Sequence, residues 1–190
     1  MMLNVPNLVT LSRIILIPLL VGVYYLPDPW VSPEEKNMFA TGVFILAGIT
    51  DWLDGYLARR LNQMSAFGAF LDPVADKLIV VAALIALLYL KRVDVIVALI
   101  IVGREIAISA LREWMAKMGQ SASVAVALIG KLKTVGQMIA IPLLLFHDPL
   151  FGMLDCQWLG TILINVAAVL TVVSMLYYLR KALPYASVRG

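Results

Sequence analysis

Six apolar runs separated by short polar stretches set the limits on this chain, at residues 8–26, 37–50, 78–90, 93–110, 135–146 and 158–179. Runs of this kind point to an all-α polytopic membrane protein with six transmembrane helices. Hydrocarbon offers backbone polar groups no partner outside a helix or a closed barrel. A mean hydropathy of +0.94 and a 62% share of hydrophobic residues agree with that class. The chain of 190 residues is expected to form a single transmembrane domain, 1–190, with no soluble second domain. The first run lacks a preceding basic region and contains Pro18, so it reads as a retained first helix and not as a cleaved signal peptide.

Several runs are too short to cross a bilayer. Residues 37–50 make about 21 Å of helix and residues 78–90 about 20 Å, against a hydrocarbon core of about 30 Å. Both helices should therefore continue toward one face carrying polar residues. The run at 135–146 is preceded by Lys131, Lys133 and Thr134, and the run at 93–110 carries Arg104, Glu105 and, just beyond it, Arg112. Four helices are thus expected to direct polar groups into one layer at the depth of lipid phosphates.

Charge assigns that layer a side. Arg13, Arg59, Arg60, Lys77, Arg104, Arg112, Lys117, Lys131, Lys133, Arg180, Lys181 and Arg189 fall toward the end that holds both termini. The opposite end has only Lys36, Lys91 and Arg92. The excess of Lys and Arg predicts that the first end is cytoplasmic. The pI of about 9.1 follows from the same bias and from attraction to anionic lipid, so nucleic acid is not expected as a partner. One cysteine, Cys156, excludes an intramolecular disulfide and a thiolate metal cluster. The one histidine, His147, reads as a solvated loop residue. Trp30, Trp114 and Trp158 read as interfacial belt residues and Trp52 as packing.

Against this apolar background stand four aspartates, Asp51, Asp54, Asp72 and Asp76. Asp51 and Asp54 are three apart and Asp72 and Asp76 four apart, so each pair shares a helix face. Two antiparallel helices joined by a short turn can bring the faces together. Such a carboxylate cluster at a membrane edge calls for compensation. Oxygen-only ligands suit a hard cation, so two divalent ions, Mg2+ or Mn2+, are expected. A metal pair of that kind can clamp a phosphoryl group undergoing in-line displacement. Gly55 and Gly68 remove side chains where a phosphate or nucleotide could approach, Ala58 keeps the face small, and Arg59 offers a fork for phosphate. Arg104, Arg112, Lys131 and Lys133, with Thr134, form a basic group suited to a phosphorylated acceptor.

The full pattern, D-x2-D-G-x2-A-R-x8-G-x3-D-x3-D from Asp51 to Asp76, resembles the signature of the CDP-alcohol phosphotransferases. Further stretches resemble the phosphatidylglycerophosphate synthase branch of that family: 5–13, 67–77, 104–106, 110–113 and 130–134. The resemblance implies six helices holding two divalent metals, and a CMP group exchanged for an alcohol. Asp51, Asp54 and Asp72 would be metal ligands, and Asp76 would complete the cluster and act as general base. Asp54, Gly55, Ala58, Arg59 and Gly68 would hold the CDP moiety. The substrates implied are CDP-diacylglycerol and sn-glycerol 3-phosphate, for a homodimeric enzyme of the bacterial inner membrane whose active site faces the cytoplasm. Other acceptors, inositol phosphate or serine, use the same aspartate core. A cation transporter with intramembrane carboxylates is the alternative from another class, disfavoured because the carboxylates sit toward one face.

Overall fold

The computed structural model describes residues 5–60, 65–117, 128–150 and 152–186; the side chains of 5, 6, 54, 55, 57–59, 66, 128–131, 181 and 184–186 are not described. Six helices run through it: α1 Val5–Gly22, α2 Pro33–Arg60, α3 Ala66–Tyr89, α4 Val95–Lys117, α5 Leu128–Phe146 and α6 Cys156–Ala186. A short 3-10 turn, Val23–Tyr25, finishes α1. Among the described residues there is no strand, only an isolated bridge between Leu150 and Leu154 ahead of α6.

The helix ends follow from local chemistry. Ser32 and Glu35 form a reciprocal capping box at the start of α2, the Ser32 N–H donating to Glu35 Oε2 at 2.8 Å. These Ser32 contacts, its backbone N–H first and its hydroxyl second, hold the Glu35 carboxyl below the usual range. Ser65 caps α3 by accepting from Gly68 N at 2.9 Å. Lys91 stops α3 in a left-handed conformation (φ 56°), with Arg92 N bonded to Leu87 O and Lys91 N to Leu88 O. This is the paired closure of a Schellman motif, formed here without glycine. His147 (φ 67°) ends α5; it is exposed, as expected of a loop residue, and its Nδ1 lies 3.0 Å from Gln157 Oε1.

The short apolar runs prove to be parts of longer helices, lying toward one end of each. α2 has 28 residues and α3 has 24, about 42 and 36 Å of helix. The bundle is also inverted in polarity. Ile15, Leu99 and Val169 are about two-thirds exposed on its outside, whereas Asn7, Thr10, Arg13, Arg104, Lys133 and Gln137 are buried within it. A surface apolar all round and an interior holding the polar groups is the arrangement lipid demands. The protein is an all-α polytopic membrane bundle. Among the described residues, only α1 and α6 carry spans that are long and apolar enough by themselves, Asn7–Tyr25 and Cys156–Arg180. The other four helices are interrupted by the polar residues they turn inward.

α2 and α3 meet each other only sparsely; α1 packs extensively against both. α5 packs along α6, α2 reaches α5, and α4 rests on α6. An apolar core including Leu20, Phe44, Leu84, Leu87, Ile101, Ile141 and Leu144 fills one half of the bundle. A smaller cluster of Ile108, Met115, Tyr178 and Ala182 lies toward the other end. At the end with few cations, Lys36 is tied to Asp28 and Leu26 O, both at 2.6 Å. Arg92 donates to Leu144 O, Leu145 O and Asn37 Oδ1, joining the α3–α4 turn to α5 and α2. Trp30, Trp114 and Trp158 keep exposed faces near helix ends. Trp52 is not core packing: it is 69% exposed and stacks on Tyr56 along the outside of α2. One residue after Asp51 on a helix, it must point away from the side to which Asp51 points.

Candidate active site

The two carboxylate-bearing helices are joined through α1. Asn7, Thr10 and Arg13 recur every three residues and give this apolar helix one polar stripe, all three nearly inaccessible to solvent. Asn7 Nδ2 donates to Ser65 Oγ at 3.1 Å, at the start of α3. Thr10 Oγ1 donates to Asp72 Oδ1 at 2.6 Å. The Arg13 guanidinium bridges the helices, with Nη1 3.1 Å from Asp51 Oδ1 on α2 and bonded to Asp76 Oδ1 on α3. Asp51 and Asp76 remain 43% and 44% exposed while Arg13 is 1% exposed, so the carboxylates look into open space from a buried cation.

Thus Asp51, Asp72 and Asp76 converge on α1, the first and last through a shared guanidinium. Among the described residues, no three acidic, histidine or cysteine side chains form a group able to hold a metal ion. Asp54, Gly55, Ala58 and Arg59 lie on the same end of α2, and their side chains are outside the described residues. Gly68 has a packing reason to be glycine. A Cβ there would stand 2.6 Å from Asn7 Oδ1 and 3.1 Å from Ser65 Oγ, so any side chain would break the α1–α3 junction.

Asp51 and Asp76 form one wall of a cavity of about 370 Å³ to which all six helices contribute. The opposite wall is basic. Arg104 on α4 is buried, donates to Ser174 Oγ on α6 at 3.3 Å, and lies 3.3 Å from Glu105. Glu105 also takes a hydrogen bond from the buried Lys133 of α5. Tyr178 of α6 carries two guanidinium groups over its ring, Arg104 at 6.0 Å and Arg112 at 5.7 Å. The structure therefore brings Arg104, Arg112, Lys133 and Thr134 to one cavity, while the Lys131 side chain is outside the described residues. Lys77, next to Asp76, joins them and donates to Ser109 Oγ at 2.7 Å. Arg104 Nε is buried and has no partner among the described residues, which leaves a strong donor facing unmet demand.

Sequence reasoning missed Thr10, Arg13, Lys77, Gln137 and Tyr178 as cavity or cluster residues. For the first two the signal was present: polar residues at three-residue spacing in a membrane helix have to face inward. Tyr178 carried no such signal, since its part depends on where α6 crosses α4.

A carboxylate wall facing a basic wall at one end of a membrane bundle suits a phosphate-bearing lipid and a phosphate-bearing partner. The family model for CDP-alcohol phosphatidyltransferase matches residues 3–173. The chain belongs to the CDP-alcohol phosphatidyltransferase family. Three relatives, from Salmonella choleraesuis, Shigella flexneri and Escherichia coli, are each 48% identical over 184 residues, covering 96% of this chain and 96% of theirs. Each is named CDP-diacylglycerol--glycerol-3-phosphate 3-phosphatidyltransferase. The match extends over α1 to α5 and into α6, so it includes the cavity residues of this CDP-alcohol phosphatidyltransferase except Tyr178.

Proposed function

We propose that the chain transfers the phosphatidyl group of CDP-diacylglycerol to sn-glycerol 3-phosphate, giving phosphatidylglycerophosphate and CMP. The observation that carries this reading is the two-walled cavity, with Asp51 and Asp76 facing Arg104, Arg112 and Lys133. A free amino-acid or polyol acceptor would have no use for so much positive charge. A phosphorylated one matches it by charge-assisted hydrogen bonds. The printed names of relatives at 48% identity support the same pair of substrates.

Asp51, Asp54, Asp72 and Asp76 would hold two divalent cations, Mg2+ or Mn2+. Their oxygen-only donor set fits such ions, and the guanidinium lodged between Asp51 and Asp76 supports a demand for positive charge at that point. When bound, the ions would neutralise charge on the lipid-linked phosphate and on the departing CMP. On the opposite wall, Arg104, Arg112, Lys131, Lys133 and Thr134 would seat the acceptor phosphate and orient its free hydroxyl. Gly55, Ala58, Arg59 and Gly68 would border the CDP moiety. The acceptor oxygen then forms a bond to the phosphatidyl phosphorus as the bond to CMP breaks. Asp76 accepts the hydroxyl proton, a role that rests on proximity because a carboxylate is a weak base. The reading includes one catalytic domain across 1–190, a homodimer in the bacterial inner membrane, and a cavity open toward the cytoplasm.

Purified protein incubated with CDP-diacylglycerol, Mg2+ and a panel of acceptors tests it by CMP release. Glycerol 3-phosphate should be used far better than glycerol, serine or inositol, and EDTA should abolish the reaction. Full activity in chelator, or preference for serine, would overturn the metal or the acceptor assignment respectively.

A further inference from the structure

Arg13 occupies an unusual position. It is the largest fully buried side chain among the described residues, yet its charged end lies between two half-exposed carboxylates. Those carboxylates belong to helices that scarcely touch each other, and Arg13 comes from the helix packed between them. Without a cation at that point, Asp51 and Asp76 would be left as facing negative charges that repel each other. Arg can satisfy both permanently, because its guanidinium does not titrate in proteins and presents several donors in a rigid plane.

The same carboxylates are the ones assigned above to divalent cations. A carboxylate oxygen that accepts from a guanidinium has less to give a metal, and a dication beside a guanidinium meets repulsion from it. We infer that Arg13 is an internal counter-cation that competes with divalent metal for Asp51 and Asp76. Metal entry would take these oxygens from Arg13, and the released guanidinium, anchored by its buried shaft, would turn to the cavity that it already lines. Thr10 on Asp72 and Asn7 on Ser65 would keep α1 docked throughout, so the exchange is local to one side chain. Arg13 is thus a positioning residue, which keeps the carboxylate wall assembled until metal is bound. The inference rests on the metal-site reading above.

The test is Mn2+ binding, followed by electron paramagnetic resonance on the full chain in detergent, without either substrate. Arg13→Gln should bind Mn2+ about tenfold or more tightly than the parent protein, because the competitor is gone. Arg13→Lys, which keeps a charge but not the fork, should fall between them and serves if the Gln variant does not fold. In EDTA, Arg13→Gln should melt below the parent protein, and saturating Mn2+ should close the gap. Affinity in Arg13→Gln and Arg13→Lys equal to or weaker than the parent's overturns the inference and leaves the metal site standing. No Mn2+ binding by any of the three proteins overturns both.

Discussion

At the scale of the residue, the three aspartates whose side chains are described are not equivalent in what holds them. Asp72 is held by a neutral hydroxyl, whereas Asp51 and Asp76 share a cation. Replacing Asp51, Asp54 or Asp72 by Asn should weaken Mn2+ binding and turnover together. Asp76→Asn should lower turnover by about 10²–10⁴-fold, the usual contribution of a general base, with a smaller loss of CDP-lipid binding. Equal binding defects at all four positions would leave Asp76 no separate role. On the basic wall, Tyr178 can be probed apart from charge. Tyr178→Leu should raise the acceptor KM by about three- to tenfold through loss of a cation–π platform. Tyr178→Phe, which keeps the ring, should leave KM near that of the parent, and steady-state kinetics with varied glycerol 3-phosphate distinguishes the two. The aspartates were legible in the sequence because carboxylates in an apolar chain stand out and their spacing names a face. Arg13 was visible only as one more positive charge near an end. Its partners lie 38 and 63 residues away, and only the placement of α1 between α2 and α3 brings them to it.

At the scale of the element, run length carried the right message about α2 and α3, whose polar extensions hold the site. It said nothing about which helices touch, because apolar residues in a membrane chain face lipid and protein alike. The aspartate faces of α2 and α3 are brought together through Arg13 of α1 and not by direct packing of the two helices. Close approach is written instead in small residues. A Cβ on Gly160 of α6 would stand 2.8 Å from Leu144 Cγ and 3.2 Å from the Leu144 backbone nitrogen. Gly136 of α5 has room, with Ala167 Cβ at 3.9 Å. Gly160→Ala should therefore destabilise the α5–α6 pair by about 1–3 kcal/mol through overpacking. Gly136→Ala should be neutral or stabilising by up to about 1 kcal/mol, since alanine is the better helix former. Thermal unfolding in one detergent compares them; equal losses would mean that the helices do not approach as described.

At the scale of the whole molecule, the fold is a bundle turned inside out, with its chemistry gathered at one end. Sidedness then decides whether soluble substrates can reach the cavity. On a Cys156→Ser background, a cysteine at Asn62 or Gln63 should react with an impermeant maleimide only once the cytoplasmic face is opened. A cysteine at Glu34 should react in intact cells whose outer membrane has been permeabilised. The reverse pattern would put the cavity on the wrong side for a phosphorylated cytoplasmic acceptor. The polar stripe of α1 has a further consequence, for biosynthesis. Thr10 and Arg13 precede their α3 partners by 62 and 63 residues. At about 5–20 residues per second, the ribosome needs roughly 3–13 s to supply them. Asp51 of α2, 38 residues behind Arg13, is the first of its two carboxylate partners to emerge in that interval. An α1–α2 pair held by Arg13 and Asp51 is therefore expected to form in the membrane before α3 arrives with Asp72 and Asp76 to complete the junction.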